Sequence, residues 1–142
     1  MGAIHFFYEN IPFKLKQALK LKAWIKATVQ KEGFKLGQLN YIFCSDEALL
    51  ERNIQFLKHK TLTDIITFDL SEGEGLIEGE IYISIDRVKD NAGKFSKTFE
   101  DELHRVIIHG VLHLVGYGDK KPKLKAIMRE KEDYYLKKRK LS

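Results

Sequence analysis

The stretch L-H-R-V-I-I-H-G-V-L-H-L-V-G, residues 103–116, constrains the fold more than any other part of the chain. Leu103, Val106, Ile107 and Val111 follow helical spacing, and Ile108, Leu112, Leu114 and Val115 add apolar residues around the cylinder. A helix with that pattern is wrapped in other structure. Thr98 and Asp101 form a capping-box-like pair at its start, and Gly116 is a natural stop. No apolar run approaches the ~20 residues of a membrane span, so the cover for this helix must come from protein. A chain of 142 residues can supply it from one domain, 1–142.

The rest of the chain reads as that cover. IHFFYEN (4–10) predicts a first strand. A helix is expected from Pro12, with Leu15, Leu19, Ala23, Ile25, Ala27 and Val29 on one stripe, Trp24 near it and Gly33 as its stop. GQLNYIFCS (37–45) is a strand with Leu39, Tyr41 and Phe43 on one face, and Ser45 is placed to cap a helix over DEALLERNIQFL (46–57). TDIITFDL (63–70) and IEGEIYISI (77–85), joined by SEGEG, predict a hairpin. A short helix from Asp86 to Gly93 precedes the apolar helix, and a basic helix starts near Pro122. The fold class is α+β: about four strands in a mixed sheet, flanked by helices, with the histidine-bearing helix near the C-terminal end.

Charge is unevenly divided. Residues 12–35 carry seven lysines against Glu32, and residues 120–142 carry ten Lys or Arg against three acids; residues 36–119 hold eight basic and fifteen acidic residues. Two basic ends flanking an acidic middle suit a polyanionic partner, although Lys-rich solvent faces also do no more than keep helices soluble. Cys44, the one cysteine, excludes an internal disulfide and any multi-cysteine zinc cluster. The N-terminus lacks the basic-then-apolar order of a signal peptide, which implies a cytoplasmic protein with no membrane partner.

His109 and His113 stand four apart on the apolar helix, one turn above each other. Two imidazole nitrogens so placed can converge on one borderline divalent ion. Asp119 follows six residues after His113, past Gly116 and Gly118, which let the chain fold a carboxylate back toward the same point. His109, His113 and Asp119 are therefore a reasonable three-ligand set with an open position for water. Spacing alone is met equally well by two histidines with ordinary hydrogen bonds; the apolar flanks favour the metal, because an unpartnered buried polar group costs about 1–3 kcal/mol. The residue after His109 is Gly110, where helix-borne zinc proteases carry a glutamate base, which argues against proteolysis.

HGVLHLVGYGD (109–119) resembles the signature of the YbeY endoribonucleases, His-Gly-x-Leu-His-Leu-x-Gly-Tyr-Asp-His. TDIITFD (63–69) resembles that family's Thr-Asp-Val-Leu-Ser-Phe strand, and GEIYIS (79–84) its Gly-Asp-Ile strand. Together with Asn53 these blocks occur in the family's order from about Leu39 to Asp119. The resemblance implies a zinc-dependent endoribonuclease of single-stranded ribosomal RNA precursors, acting at the small-subunit 3′ end in ribosome biogenesis, with the small subunit and assembly factors as partners. Two departures accompany it. The family's third zinc-binding histidine falls on Asp119, which lowers the charge of the site by one and makes a bound water less acidic. An arginine of the family falls on Leu57; His59, two residues on, is the candidate to replace it as a catalytic group, against the plainer reading of a solvated loop histidine. Asp64, Asp69 and Glu80 are carboxylates able to orient a ligand imidazole, or to face water at strand ends. Two rival readings are a ribosome-assembly factor with a structural metal and a non-haem Fe(II) oxygenase, whose ligand set is also two histidines and a carboxylate.

Overall fold

The computed structural model describes residues 2–57 and 63–141. In chain order the elements are β1 (Ala3–Tyr8), α1 (Ala18–Lys31), β2 (Lys35–Cys44), α2 (Asp46–Arg52) with a single π turn over Asn53–Leu57, β3 (Ile65–Asp69), β4 (Leu76–Ser84), α3 (Ile85–Lys94), α4 (Phe99–Val115) and α5 (Pro122–Lys137). The four strands make one mixed sheet in the order β1-β2-β4-β3, with β1, β2 and β4 parallel and β3 antiparallel to β4. This is the α+β arrangement expected from the sequence. No helix among the described residues is long and apolar enough to cross a membrane.

Alternation along the strands divides the sheet into two faces. Ile4, Leu39, Tyr41, Phe43, Ile77, Ile81 and Ile83 belong to the main core with α1, α4 and α5. The opposite face holds a small cluster of Cys44, Leu49 and Ile66, so α2 covers only part of it. Within the main core α4 is central: Leu103, Ile107, Ile108, Val111 and Leu112 have no exposed surface, each contributing about 1.5–3 kcal/mol of burial. The Tyr41 hydroxyl donates to the Ile107 carbonyl at 3.0 Å, tying β2 to the middle of α4. The caps are those expected: Ser45 accepts from the Ala48 N–H, and Thr98 from the Asp101 N–H.

Two elements differ from their sequence reading. Helix α1 begins at Ala18, not Pro12, because Leu15 is drawn into the core from irregular chain and Gln17 turns with a φ of 57°. Its buried stripe is Leu21, Trp24, Ile25, Thr28 and Val29. Leu19 is 82% exposed, and Ala23 and Ala27 face outward. In the 46–57 segment the α-helical ladder stops at Arg52 and widens into the π turn. Asn53 is buried there, and the Phe56 ring reaches Phe68 on β3 with centroids 5.8 Å apart.

His104, buried on the α1-facing side of α4, gives the fold a pH dependence. Burial, and then the Arg139 guanidinium 2.7 Å from Nδ1, push its imidazole from 6.5 down to about 4. Glu100, exposed and 3.7 Å from the other ring nitrogen, is too well solvated to reverse this. The folded pKa lies below the unfolded one, so the stabilisation is complete above about pH 6.5. It is lost as pH falls toward 4, because the unfolded chain takes up a proton that the folded chain refuses. The full effect is about 3 kcal/mol. His104→Gln should therefore flatten the decline in thermal midpoint between pH 7 and pH 4.5; equal slopes in variant and wild type would refute this assignment.

Candidate metal centre

Helix α4 lies close against the sheet because one residue of its inner face has no side chain. A Cβ built at Gly110 would meet the Ile65 and Ile81 Cδ1 atoms at 3.0 Å. The position that would carry a protease's glutamate is pressed onto β3 and β4, so no base can project from it. With Gly110, Val111 and Leu112 turned inward, His109 and His113 fall on the rim of the helix. Their side chains are 20% and 26% exposed, more open than the apolar flanks suggest. Their rings meet edge to face, centroids 4.5 Å apart.

The chain then doubles back. Gly116 takes a φ of 123°, a conformation strained for any other residue, and the N–H groups of Gly116 and Tyr117 both return to the Leu112 carbonyl. Gly118 contributes differently: it does not adopt a positive φ, and a Cβ there would lie 3.4 Å from Leu124. The reversal sets Asp119 Oδ2 at 3.3 Å from His109 Nε2 and 3.2 Å from His113 Nε2. One possible ligand atom from each of the three residues falls within 4.8 Å of the others. Two donors bound to one zinc at ~2.0–2.1 Å and separated by the tetrahedral angle lie about 3.3 Å apart, so the donor set and its spacing fit a divalent ion. The same separations serve an imidazolium–carboxylate pair, which makes a proton and a metal ion competitors for this point.

Glu132, on α5, grips the other side of His109: its Oε2 is 2.5 Å from Nδ1. A carboxylate can only accept, so Nδ1 carries the proton and Nε2 is left facing Asp119. Glu132 is 5% exposed and is itself held by Arg105, whose Nη1 donates to Oε1 at 2.7 Å while Nη2 reaches Asp133 at 2.6 Å. Burial disfavours the charged form of His109, but its hydrogen bond to Glu132 and the charges of Glu132, Asp119 and Asp64 outweigh it and raise its pKa. Three carboxylates thus act on one imidazole, a field that also favours a cation. Asp64 is pushed up by burial, with His109 pulling it partly back. Of the other carboxylates singled out in the sequence, Asp69 accepts from Ser71 and Glu80 from Tyr82; neither is bonded to the histidines.

A second clamp fixes the returning loop. Glu32, at the end of α1, accepts from the Tyr117 hydroxyl at 2.7 Å and from the Tyr135 hydroxyl, with Lys131 at 3.6 Å. Burial works against the charge of Glu32, but the two hydroxyls and the Lys131 ammonium outweigh it and lower its pKa. The loop that presents Asp119 is therefore anchored to α1 and α5 two residues upstream of the carboxylate.

The structure brings His109, His113 and Asp119 together. His59 and the Leu57 side chain lie outside the described residues, while Asn53 is buried at the head of the π turn. Glu132 is the site residue that sequence reasoning misses. Its signal is present all the same: Met128, Glu132 and Tyr135 stand at the i, i+4, i+7 positions of one buried stripe, and a glutamate in such a stripe requires a partner.

Comparison with known proteins assigns the chain to a family. The model of the family described as Endoribonuclease YbeY matches residues 6–140. An Endoribonuclease YbeY of Cytophaga hutchinsonii is 54% identical over 137 residues, 96% of each chain, and one of Amoebophilus asiaticus is 48% identical over 133 residues, 94% of this chain and 90% of that one. The solution structure of TM1509 from Thermotoga maritima superposes with a TM-score of 0.67 at 34% identity, covering 95% of this chain and 87% of the other. With β2, β3 and β4, the histidine helix and the returning loop inside residues 6–140, the chain belongs to the YbeY endoribonuclease family.

Proposed function

We propose that this chain is a metal-dependent endoribonuclease of single-stranded RNA. It would act on ribosomal RNA precursors at the small-subunit 3′ end, in the cytoplasm, with residues 1–142 as one catalytic domain. The observation that carries the reading is the convergence of His109 Nε2, His113 Nε2 and the Asp119 carboxylate on one point in a chain of an endoribonuclease family. Zinc is the expected ion, since two imidazoles and a carboxylate suit it and leave a coordination position free. When bound there, the ion supplies Lewis acidity toward a phosphoryl oxygen and acidifies water.

The chain's own groups do the rest. Glu132 holds His109 in the tautomer that offers Nε2, and Arg105 holds Glu132 in place. The Glu32–Tyr117 contact keeps Asp119 from swinging away. The ribosomal substrate, the small subunit and its assembly factors follow from family resemblance. Iron remains the rival metal because the ligand set is shared with non-haem Fe(II) oxygenases; iron content with oxygen consumption would establish that reading. A site closed by protein on all four sides would instead support a structural metal in an assembly factor.

The test is cleavage of labelled single-stranded RNA by the purified full chain. Chelation should abolish cleavage and added zinc restore it, and His113→Ala should eliminate it while leaving the thermal midpoint near wild type. Cleavage retained by folded His113→Ala would overturn the reading. Glu132→Gln should lower zinc affinity about 10- to 100-fold in a competition titration, the range for residues that orient a ligand histidine. Unchanged affinity would remove Glu132 from the site.

A further inference from the structure

The outward face of α1 and the C-terminal part of α5 enclose a cavity of about 510 Å³, formed because the stripe carrying Ala23 and Ala27 is turned away from the core. These two small side chains and the edge of Trp24 make its floor. The indole N–H donates to the Tyr135 carbonyl at 2.8 Å, which fixes the ring in place. Tyr134, 40% exposed, forms a wall; its ring stands edge to face against Tyr135, and Lys138 Nζ lies 5.2 Å from its centre. Lys20, Lys31, Lys138 and Lys140 rim the cavity, and among the described residues no acid lines it. Lysines spread over a convex helix face only solvate it. Here they surround a concavity with an aromatic wall.

The groove also leads somewhere. A neighbouring cavity of about 320 Å³ shares Lys31, Tyr134 and Tyr135 and is bounded by Glu32, Glu130 and Lys131. Lys131 lies 5.5 Å from the centre of the Tyr117 ring, two residues before Asp119. Glu130 is a solvated acid on this path, and Glu32 is already engaged by Tyr117, Tyr135 and Lys131. On α5, Glu132 and Tyr134 project about 200° apart, so the groove lies on the far side of that helix from His109.

We propose that the α1/α5 groove is a second binding site for single-stranded RNA, with a base against Tyr134 and phosphates against Lys20, Lys31, Lys138 and Lys140. It anchors part of the strand outside the His109/His113/Asp119 pocket, and it rests on the reading of RNA as substrate. Stacking on an aromatic wall between cationic rims is how sequence-tolerant single-strand sites work. An acidic peptide would satisfy the lysines and leave the aromatic wall unused.

The test measures binding apart from cleavage. Full-length His113→Ala protein is titrated with a short fluorescein-labelled oligouridylate, read by anisotropy at several salt concentrations. Adding Tyr134→Ala should weaken binding about 5- to 30-fold. Adding Lys31→Gln with Lys138→Gln should make the slope of log affinity against log salt shallower by about 1.4, roughly 0.7 for each phosphate no longer neutralised. All three side chains are exposed, so the variants should melt with the parent. Trp24, the chain's one tryptophan, gives a second readout, since saturating oligouridylate should change its emission. Unchanged affinity and slope in both sets of variants, or an unchanged Trp24 emission, overturns the proposal. So does displacement of the RNA by polyglutamate together with indifference to Tyr134→Ala, which would mark an acidic-protein site. Because the protein used is the His113→Ala variant, loss of groove binding leaves the cleavage reading standing, and failure of cleavage leaves the groove standing.

Discussion

The approach of α4 to the sheet at Gly110 is the constraint on which the remainder depends. A helix seated that closely must turn its large aliphatic side chains into the core and leave its remaining edge at the surface. The two histidines occupy that edge. Because Ile65 and Ile81 stand 3.0 Å from where a Cβ would be, the helix has little room to rotate about its axis. The imidazoles are therefore pointed by core packing, and Tyr41 adds a fixed bond to the middle of the same helix. The acidic surroundings of His109 then favour positive charge at a position that packing has already determined.

The site draws on three parts of the chain that are far apart in sequence. Helix α4 brings the imidazoles, the Gly116 reversal brings Asp119, and α5 brings Glu132 with its partner network from Arg105. Glu32 links the end of α1 to the loop through Tyr117 and to α5 through Tyr135 and Lys131. Helix α5 therefore has two distinct sides: Glu132 faces the histidines, while Tyr134 and Lys138 line the groove against α1. The basic composition of both chain ends, unhelpful when averaged over the molecule, gains a location once α1 and α5 are seen to line one cavity.

What is legible in the sequence is local chemistry. The extent of α4, its Thr98 cap, the Gly116 stop and the hairpin of β3 and β4 all follow from signals within a few residues of each other. The convergence of His109, His113 and Asp119 is readable because helix periodicity and a glycine turn suffice to bring them together. Sequence reasoning fails where distant contacts decide. Pro12 looks like a helix start, yet Phe13 and Leu15 are held by the core in irregular chain. Ala23, Ile25, Ala27 and Val29 mix two helical stripes, and only the packing of α1 against β2 and α4 selects Leu21, Trp24, Ile25, Thr28 and Val29 as the buried one. Glu132 looks like part of a charge run, whereas its place between Met128 and Tyr135 makes it a buried carboxylate with an obligatory partner.

The central claim is a single ion held by His109, His113 and Asp119, with Glu132 fixing the first of them. Anomalous diffraction at the zinc edge, from crystals of the full chain grown with zinc, tests it most directly. The account predicts one strong peak within bonding distance of His109 Nε2, His113 Nε2 and a carboxylate oxygen of Asp119, with Glu132 still on His109 Nδ1. A crystal saturated with zinc in which Asp119 points to solvent, or in which the peak lies elsewhere, would contradict it.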